Sequence, residues 1–514
     1  MRQSLSILWE RLRRVAAHTS AGGAWSAQLP DQAQRNLRWY FADGILASSQ
    51  EAINLTYLTL FVLALGATKG QIGLMTSLAS LMAVILLVPG AILAERLPSR
   101  KWLVVASGGG VARLALLCLA ILPFFVQGPA MIAVAIGMKI VMDGFTNLSN
   151  PAWTALTADI VPLQWRGRYF GTRNSAMGVA NIGVTYLGGS IITRIGGLLG
   201  YQVGYIMAFL FGAGASYSFS RLHEEPRQAT GAALSAYSPK ALLQALRGDR
   251  NFLMFCVAMM VWNLSLNIAG PFFSVYQVEV LKATPEIVGV LNIIASLAGL
   301  PALRFFGWLN DQWGARKVML LTHFLIPIVP VLWIYTYQPW DPWFVQILSG
   351  AFWAGQGLAA FNFLLDISPA EGRPRYVALF QISVALSLAV GAALGGVVVE
   401  TFGFATIFLV SGIGRLIGAI LLWRFVRPHQ PAAANGGEEE EESPALPEGA
   451  LGLVSGAEQV EEQELPEADV GADEAGQIGE GSLPEDNLGQ QNGLGSDAAD
   501  APGEDGKDEA GSSA

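Results

Sequence analysis

The sequence predicts an all-α integral membrane protein of twelve transmembrane helices, arranged as two six-helix repeats with both termini in the cytoplasm. Three observations predict it. Long apolar runs recur through the first 426 residues, basic residues collect on alternate connections, and stretches of the first half reappear in the second. Of 514 residues, 52% are hydrophobic and only 14% charged, against about 25% charged in an ordinary soluble domain. The formal net charge of −9 averages two unlike regions. Residues 431–514 hold 23 Asp and Glu against Lys507 alone, a net of −22, so the body before them carries +13.

A bilayer-spanning helix needs about 20 mostly apolar residues, because lipid cannot hydrogen-bond a free backbone. Segments of that kind lie near 41–65, 72–94, 102–126, 129–151, 174–194 and 201–219. A second set lies near 252–275, 286–308, 318–337, 342–365, 376–399 and 403–426. With a cytoplasmic N-terminus, the inside segments up to residue 430 hold 23 Lys and Arg, while the outside loops hold three: Lys69, Arg194 and Lys282. That asymmetry is what the positive-inside rule predicts.

The spans define an organisation. A cytoplasmic arm occupies 1–38, with Leu5, Leu8, Trp9 and Leu12 available to lie on the membrane surface. Glu10, Arg11, Arg13 and Arg14 stand where a signal peptide needs its apolar segment. Six-helix bundles follow at 39–219 and 252–426, joined by a charged cytoplasmic linker, 220–251, with one short surface helix around Ala241 to Leu246. The tail, 427–514, is rich in acid, Gly, Pro and Ala, and includes Glu438 to Glu442. It cannot bury enough apolar area to offset its ordering entropy and is expected to be disordered.

Enzyme chemistry finds little support. Cys118 and Cys256 lie in apolar runs, and the four histidines show no metal-ligand spacing. No phosphate-binding G-x-x-x-x-G-K-[ST] loop and no G-x-S-x-G nucleophile elbow occur. No cofactor, metal or nucleic-acid partner is expected.

Two repeats stand out. A-I-L-A-E-R-L-P-S-R-K, Ala91 to Lys101, follows span 2; G-W-L-N-D-Q-W-G-A-R-K, Gly307 to Lys317, follows span 8. Glu95 aligns with Asp311, and Arg100 with Lys101 aligns with Arg316 and Lys317. After span 4 comes D-I-V-P-L-Q-W-R-G-R-Y, Asp159 to Tyr169; after span 10 comes D-I-S-P-A-E-G-R-P-R-Y, Asp366 to Tyr376. Six of these eleven positions agree, pairing Asp159, Arg166 and Arg168 with Asp366, Arg373 and Arg375. The same offset of 207 carries Leu187-Gly188-Gly189 onto Leu394-Gly395-Gly396.

With these motifs the sequence resembles the major facilitator superfamily of secondary transporters, over roughly residues 36–426. The segment after span 8 fits that superfamily's G-x-L-x-D-x-x-G-x-[RK]-[RK] signature at Gly307, Leu309, Asp311, Gly314, Arg316 and Lys317. The first-half copy departs from it, with Ala91, Glu95 and Pro98 where Gly, Asp and Gly are expected. The superfamily's antiporter signature is incomplete in span 5, which lacks the proline. The resemblance implies a monomeric carrier of a small molecule, working by alternating access in a bacterial cytoplasmic membrane. It also implies that Glu95 and Asp311 belong to a cytoplasmic conformational lock, and that spans 1, 4, 7 and 10 line the central cavity.

Ionisable groups inside a span are expensive, so each is a functional candidate. Span 1 carries Asp43, then Glu51 with Asn54 on one helix face. Lys139, Asp143 and Asn147 form a polar stripe in span 4, and Arg113 lies in span 3. Span 7 offers Asn263 and Asn267 beside Trp262; span 10 offers Trp353 and Gln356. Glu51 has no partner in its own helix and is the first choice for a proton-coupling carboxylate. Lys139 and Asp143 form either a pair that substrate or a proton rearranges, or a fixed ion pair that only makes both charges tolerable. The asparagines serve either as ligands or as bonds between helices. Arg304 and Arg415 are read as structural or interfacial. The leading expectation is proton-coupled secondary transport; the alternative is a non-transporting receptor or scaffold acting through the acidic tail.

Overall fold

The computed structural model describes residues 23–225, 249–368 and 373–427, so the N-terminal arm to residue 22, most of the linker and the acidic tail lie outside the described residues. The described chain is helical, with no strand among the described residues. Its helices are α1 (Asp31–Ala64), α2 (Lys69–Arg96), α3 (Arg100–Phe125), α4 (Pro129–Ile160), α5 (Arg166–Ile195) and α6 (Gly197–Ser220). The second half contributes α7 (Arg250–Glu279), α8 (Pro285–Trp313), α9 (Ala315–Trp333), α10 (Trp343–Ile367) and α11 (Arg373–Phe425). Ten of the described helices are long and apolar enough to cross a membrane. The one left out is α1, where Asp31, Arg35, Arg38, Asp43 and Glu51 interrupt the apolar run. In α11, Gly403 takes φ 82, a left-handed conformation that divides the element into arms 373–402 and 404–425 where two spans were expected.

Local sequence explains the ends and breaks. Thr68 and Gln71 form a reciprocal capping box at the start of α2. Asp249 caps α7 by accepting from the Phe252 N–H at 2.9 Å, and Thr284 with Pro285 starts α8. Breaks fall at Gly270-Pro271 in α7 and at Pro327 in α9, where proline withholds a backbone donor. Inside α3, Ser107–Val111 forms a π-turn containing Gly108, Gly109 and Gly110. The bare backbone there lets Ser149 of α4 and Ser216 of α6 come against the turn.

Each half packs around its own aromatic core. Tyr40, Tyr169 and Phe170 cluster in the first half; Phe252, Phe255, Phe363 and Phe380 cluster in the second. Both halves close their first helix onto their last with an asparagine. Asn36 donates to the His223 carbonyl and accepts from its N–H, both at 2.9 Å. Asn251 clasps Arg427 in the same way at 2.8 and 2.9 Å.

Small residues set the closest helix approaches, as expected where dispersion and backbone proximity drive association. A Cβ on Gly350 of α10 would meet the Ala295 carbonyl of α8, and one on Gly395 would meet the Ile268 carbonyl of α7. Overpacking of this kind costs about 1–3 kcal/mol. Gly350→Val should therefore lower the melting temperature of the purified full chain, followed by tryptophan fluorescence. Ala295→Gly should not rescue it, because the obstacle is a main-chain carbonyl.

Candidate functional site

Six of the nine expected residues line two separate chambers, and Lys139, Asn147 and Gln356 line neither. The larger, about 570 Å³, lies between the halves, where α1 and α5 face α7, α8, α10 and α11. Asn263, Asn267 and Trp353 line it as the sequence suggests. The Asn263 amide donates to the Met259 carbonyl at 2.9 Å and Asn267 to the Asn263 carbonyl at 2.8 Å. Each amide thus spends one donor on its own helix and keeps its oxygen and a second N–H for other partners. Trp353 packs edge-on against Trp262 with ring centroids 5.7 Å apart. Gln356 is not in this wall: it is buried and accepts from Thr322 Oγ at 2.7 Å, joining α10 to α9. The cavity wall also contains Gln277, Asn292 and Gln346, which sequence reasoning passed over, and Arg415, which it read as structural or interfacial. Scattered single amides leave no periodic signal to find.

The smaller chamber, about 360 Å³, lies inside the first half among α1, α3, α4, α5 and α6. Here stand Glu51, Asn54 and Asp143, together with Asp43 and Arg113. Asn54 Nδ2 lies 3.4 Å from Glu51 Oε1. Lys139 Nζ pairs with Asp143 at 2.7 Å, and Asn147 donates to the Asp143 backbone carbonyl at 2.9 Å, so the stripe is bonded within α4. The α3 π-turn brings in Arg113, which donates to Gln50 Oε1 at 3.1 Å and to Ser216 Oγ. Arg173 of α5 reaches Asp43 at 3.7 Å and lies over the Tyr40 ring at 4.1 Å. The bases of α3 and α5 thus lie among the acids of α1, which the order of the sequence cannot reveal.

Consecutive residues of α1 divide between the chambers. Glu51 and Asn54 face the smaller one, whereas Ala52, Leu55 and Thr56 line the larger. Helix α1 thus borders both, as does α5 through Met177 on one side and Asn181 and Thr185 on the other.

The repeated motifs sit at helix ends and brace each half internally. Arg100 pairs with Asp159 and, at 3.2 Å, with Glu224. Glu224 caps α3, accepting from Ser99 Oγ at 2.7 Å and from the Arg100 and Lys101 N–H groups at 3.0 Å. Lys101 Nζ donates to the Leu222 carbonyl at 2.9 Å. Glu95, expected to belong to a cytoplasmic lock, is half-buried with no bond among the described residues, and the carboxylates that hold Arg100 are Asp159 and Glu224. Arg166 donates to the Ala158 carbonyl at 2.9 Å, and Arg168 lies over Trp165. In the second half Arg316 caps the end of α11 through the Trp423 and Val426 carbonyls. Gly314 takes φ 81 between α8 and α9, whereas a Cβ on Gly307 would meet only ordinary contact with Leu358. Asp311, Lys317 and Asp366 are exposed, and the Arg373 and Arg375 side chains lie outside the described residues.

At the opposite end the two halves are tied together. Lys69 pairs with Glu279 at 3.2 Å, and Glu400 accepts from the Gly70 N–H at 2.7 Å, at the positive end of α2. Ser190 donates to Glu286 at 2.9 Å, and the Glu286 N–H bonds Thr193 Oγ.

Burial alone would raise the Glu224 carboxyl, but the bonds from Lys101, Ser99 and Arg100 outweigh it and hold it below its ordinary value. A group depressed in the folded state stabilises above its unfolded value and loses that contribution as pH falls through its folded one. The melting temperature should therefore fall on acidification below the ordinary glutamate range, about pH 4.3. Glu224→Gln should flatten that part of the profile, measured by melting across a pH series.

Comparison with known proteins agrees with the fold. The family model of the Major Facilitator Superfamily matches residues 41–279 and 263–460. Multidrug resistance protein MdtG of Serratia proteamaculans is 24% identical over 404 residues, 76% of this chain and 93% of that protein. A multi-drug resistance efflux pump PmrA homolog of Lactococcus lactis is 24% identical over 303 residues, 57% of this chain and 71% of its own length. An uncharacterized transporter of Buchnera aphidicola is 25% identical over 177 residues, and the chain spans only 44% of it. Among solved structures, the nucleoside transporter NupG superposes in a mutant form with a TM-score of 0.62 at 16% identity, covering 76% of this chain and all of that one. A large cavity between helical halves, motifs at the helix ends and the family match agree: the chain belongs to the Major Facilitator Superfamily, as a multi-pass membrane transporter rather than an enzyme.

Proposed function

We propose that this protein moves a small solute by alternating access, with cargo in the cavity between the halves and a proton on the acids of the first-half chamber. The observation that carries this reading is the separation of chemistry. Amides and indoles line the larger cavity, while Glu51, Asp143 and Asp43 gather in the smaller one behind α1. A proton site that shares a helix with the cargo site, without sharing its space, allows both to be occupied and each to feel the other.

The proposed architecture is twelve spans in two repeats, functioning as a monomer in a bacterial cytoplasmic membrane with both termini inside. The matching Asn36 and Asn251 clasps support the repeat, and the +13 body with its basic connections supports the orientation. In that orientation the Lys69–Glu279 and Gly70–Glu400 contacts seal the outer end. Alternating access then consists of breaking these contacts while the inner ends of the halves approach. Export is the direction that the multidrug-resistance relatives favour. Amphipathic solutes suit a cavity that offers both Trp353 and amides.

Reconstitution into liposomes with an imposed pH gradient tests the coupling. Glu51→Gln should abolish gradient-driven accumulation of a transported solute while leaving solute exchange without a gradient within a few-fold of wild type. Undiminished accumulation in this variant would remove Glu51 from the coupling role.

A further inference from the structure

Arg415 is the one buried base of the second half's cavity wall without a bonding partner among the described residues. It belongs to the 404–425 arm of α11, is 1% exposed, and lines the cavity between the halves. Its Nε and Nη2 have no hydrogen-bond partner, and no carboxylate among the described residues lies within ion-pair distance. The buried bases of the first half are treated differently. Arg113 donates to Gln50 and Ser216, Arg173 pairs with Asp43, and Arg100 pairs with Asp159 and Glu224.

A guanidinium is a cation at neutral pH, and leaving it unpaired in a low-dielectric wall is strongly unfavourable. An interior that needed only to pack would hold a leucine or methionine there. Packing also fixes the position. Gly414 and Gly418, on either side of Arg415, abut Ser265 and Trp262 of α7, and Ser411 Oγ donates to the Ser265 carbonyl at 2.6 Å. Helix α11 is thereby pressed against the wall that Asn263, Asn267 and Trp353 share with Arg415.

We infer that Arg415 is the cargo-recognition cation of this cavity, and that the cargo carries an oxyanion, a carboxylate or phosphate, on an aromatic or otherwise flat apolar body. Guanidinium matches an oxyanion with paired N–H donors, and Trp353 offers an apolar face in the same chamber. The amide oxygens of Asn263 and Asn267 recognise donor groups on the remainder of the cargo. This assignment deepens the transporter reading and rests on it.

The test uses the full chain in nanodiscs of zwitterionic phosphatidylcholine, with three probes: 2-naphthoate, 2-naphthyl phosphate and the uncharged 2-naphthamide. Binding is followed by tryptophan quenching and by melting temperature. The two anions should quench and stabilise wild type, and the amide should bind at least about tenfold more weakly, as a lost charge-assisted hydrogen bond implies. Arg415→Met should abolish the anion preference and, without ligand, melt at a higher temperature than wild type because an uncompensated charge has gone. Arg415→Lys should keep a weakened preference. Equal binding of anion and amide, an anion preference that survives in Arg415→Met, or no response to any probe overturns the assignment. A second set of nanodiscs containing phosphatidylglycerol separates the sources of the oxyanion. If only the anionic lipid gives an Arg415-dependent shift, the group is a headgroup partner and the cargo assignment falls. Flux of a lipophilic cation dye through wild-type proteoliposomes tests transport independently. Dye flux without anion binding leaves the transporter reading standing and removes the anion site. Anion binding without flux of dye or naphthoate removes the transporter reading instead.

Discussion

Lipid offers no hydrogen bonds at the depth where this chain places its polar groups, and the molecule is arranged around that constraint. Backbone groups are satisfied inside helices. Asparagines and serines bond carbonyls one turn back, as Asn147, Asn263 and Ser265 do. Charges collect where other charges or amides reach them. The result is an interior in which a polar group without a partner is conspicuous, because its cost has to be offset by something the carrier does.

The same constraint divides labour between the halves. The first half gathers acids of α1 and α4 and the Arg113 base of α3 into one chamber, with the glycines of the α3 π-turn allowing close approach there. The second half keeps amides and aromatic rings on its cavity face, with Arg415 as its buried base there. A matching asymmetry appears at the helix ends. Arg100 is held by two carboxylates, whereas Arg316, its counterpart in the sequence, caps α11 through backbone carbonyls. Identical motif letters thus do different work in the two halves.

Much of the fold was legible because membrane helices announce themselves through long apolar runs. The exceptions have physical causes. Helix α1 is too polar along its length to read as a plain apolar run, and two of its charges, Asp43 and Glu51, line the smaller chamber. The last two expected spans run together through a single left-handed glycine, Gly403. At the site, spacing along one helix identified Glu51 with Asn54 and Lys139 with Asp143, since those contacts are local. It did not reveal that Asp43 meets Arg173 or that Arg100 meets Glu224, because such pairs bridge elements whose relative placement only packing decides. Glu95 was favoured for its place in a motif, yet Glu224 sits opposite the N–H groups of α3 and takes the contacts. Gln356 shared a span with Trp353 but faces α9 rather than the cavity.

Helix α1 is where these parts meet. Glu51 and Asn54 lie on its chamber side, Ala52, Leu55 and Thr56 on its cavity side, and one turn further Tyr57 donates to the Thr185 carbonyl at 2.5 Å. A Cβ on Gly289 of α8 would meet the Tyr57 hydroxyl, so that ring lies where the halves touch at their tied end. In the proposed reading, a change of charge at Glu51 acts on a helix that also lines the larger cavity and reaches the contact between the halves. That reading needs no separate relay for proton and cargo to influence one another. It asks only that a rigid helix with three differently occupied surfaces belong to a bundle with two discrete packings to choose between. The bonds within each half, from the Asn36 and Asn251 clasps to the Arg100 cluster, keep each half intact as that choice is made. The proposed alternating access breaks the polar contacts that cross between the halves at Lys69, Gly70 and Ser190.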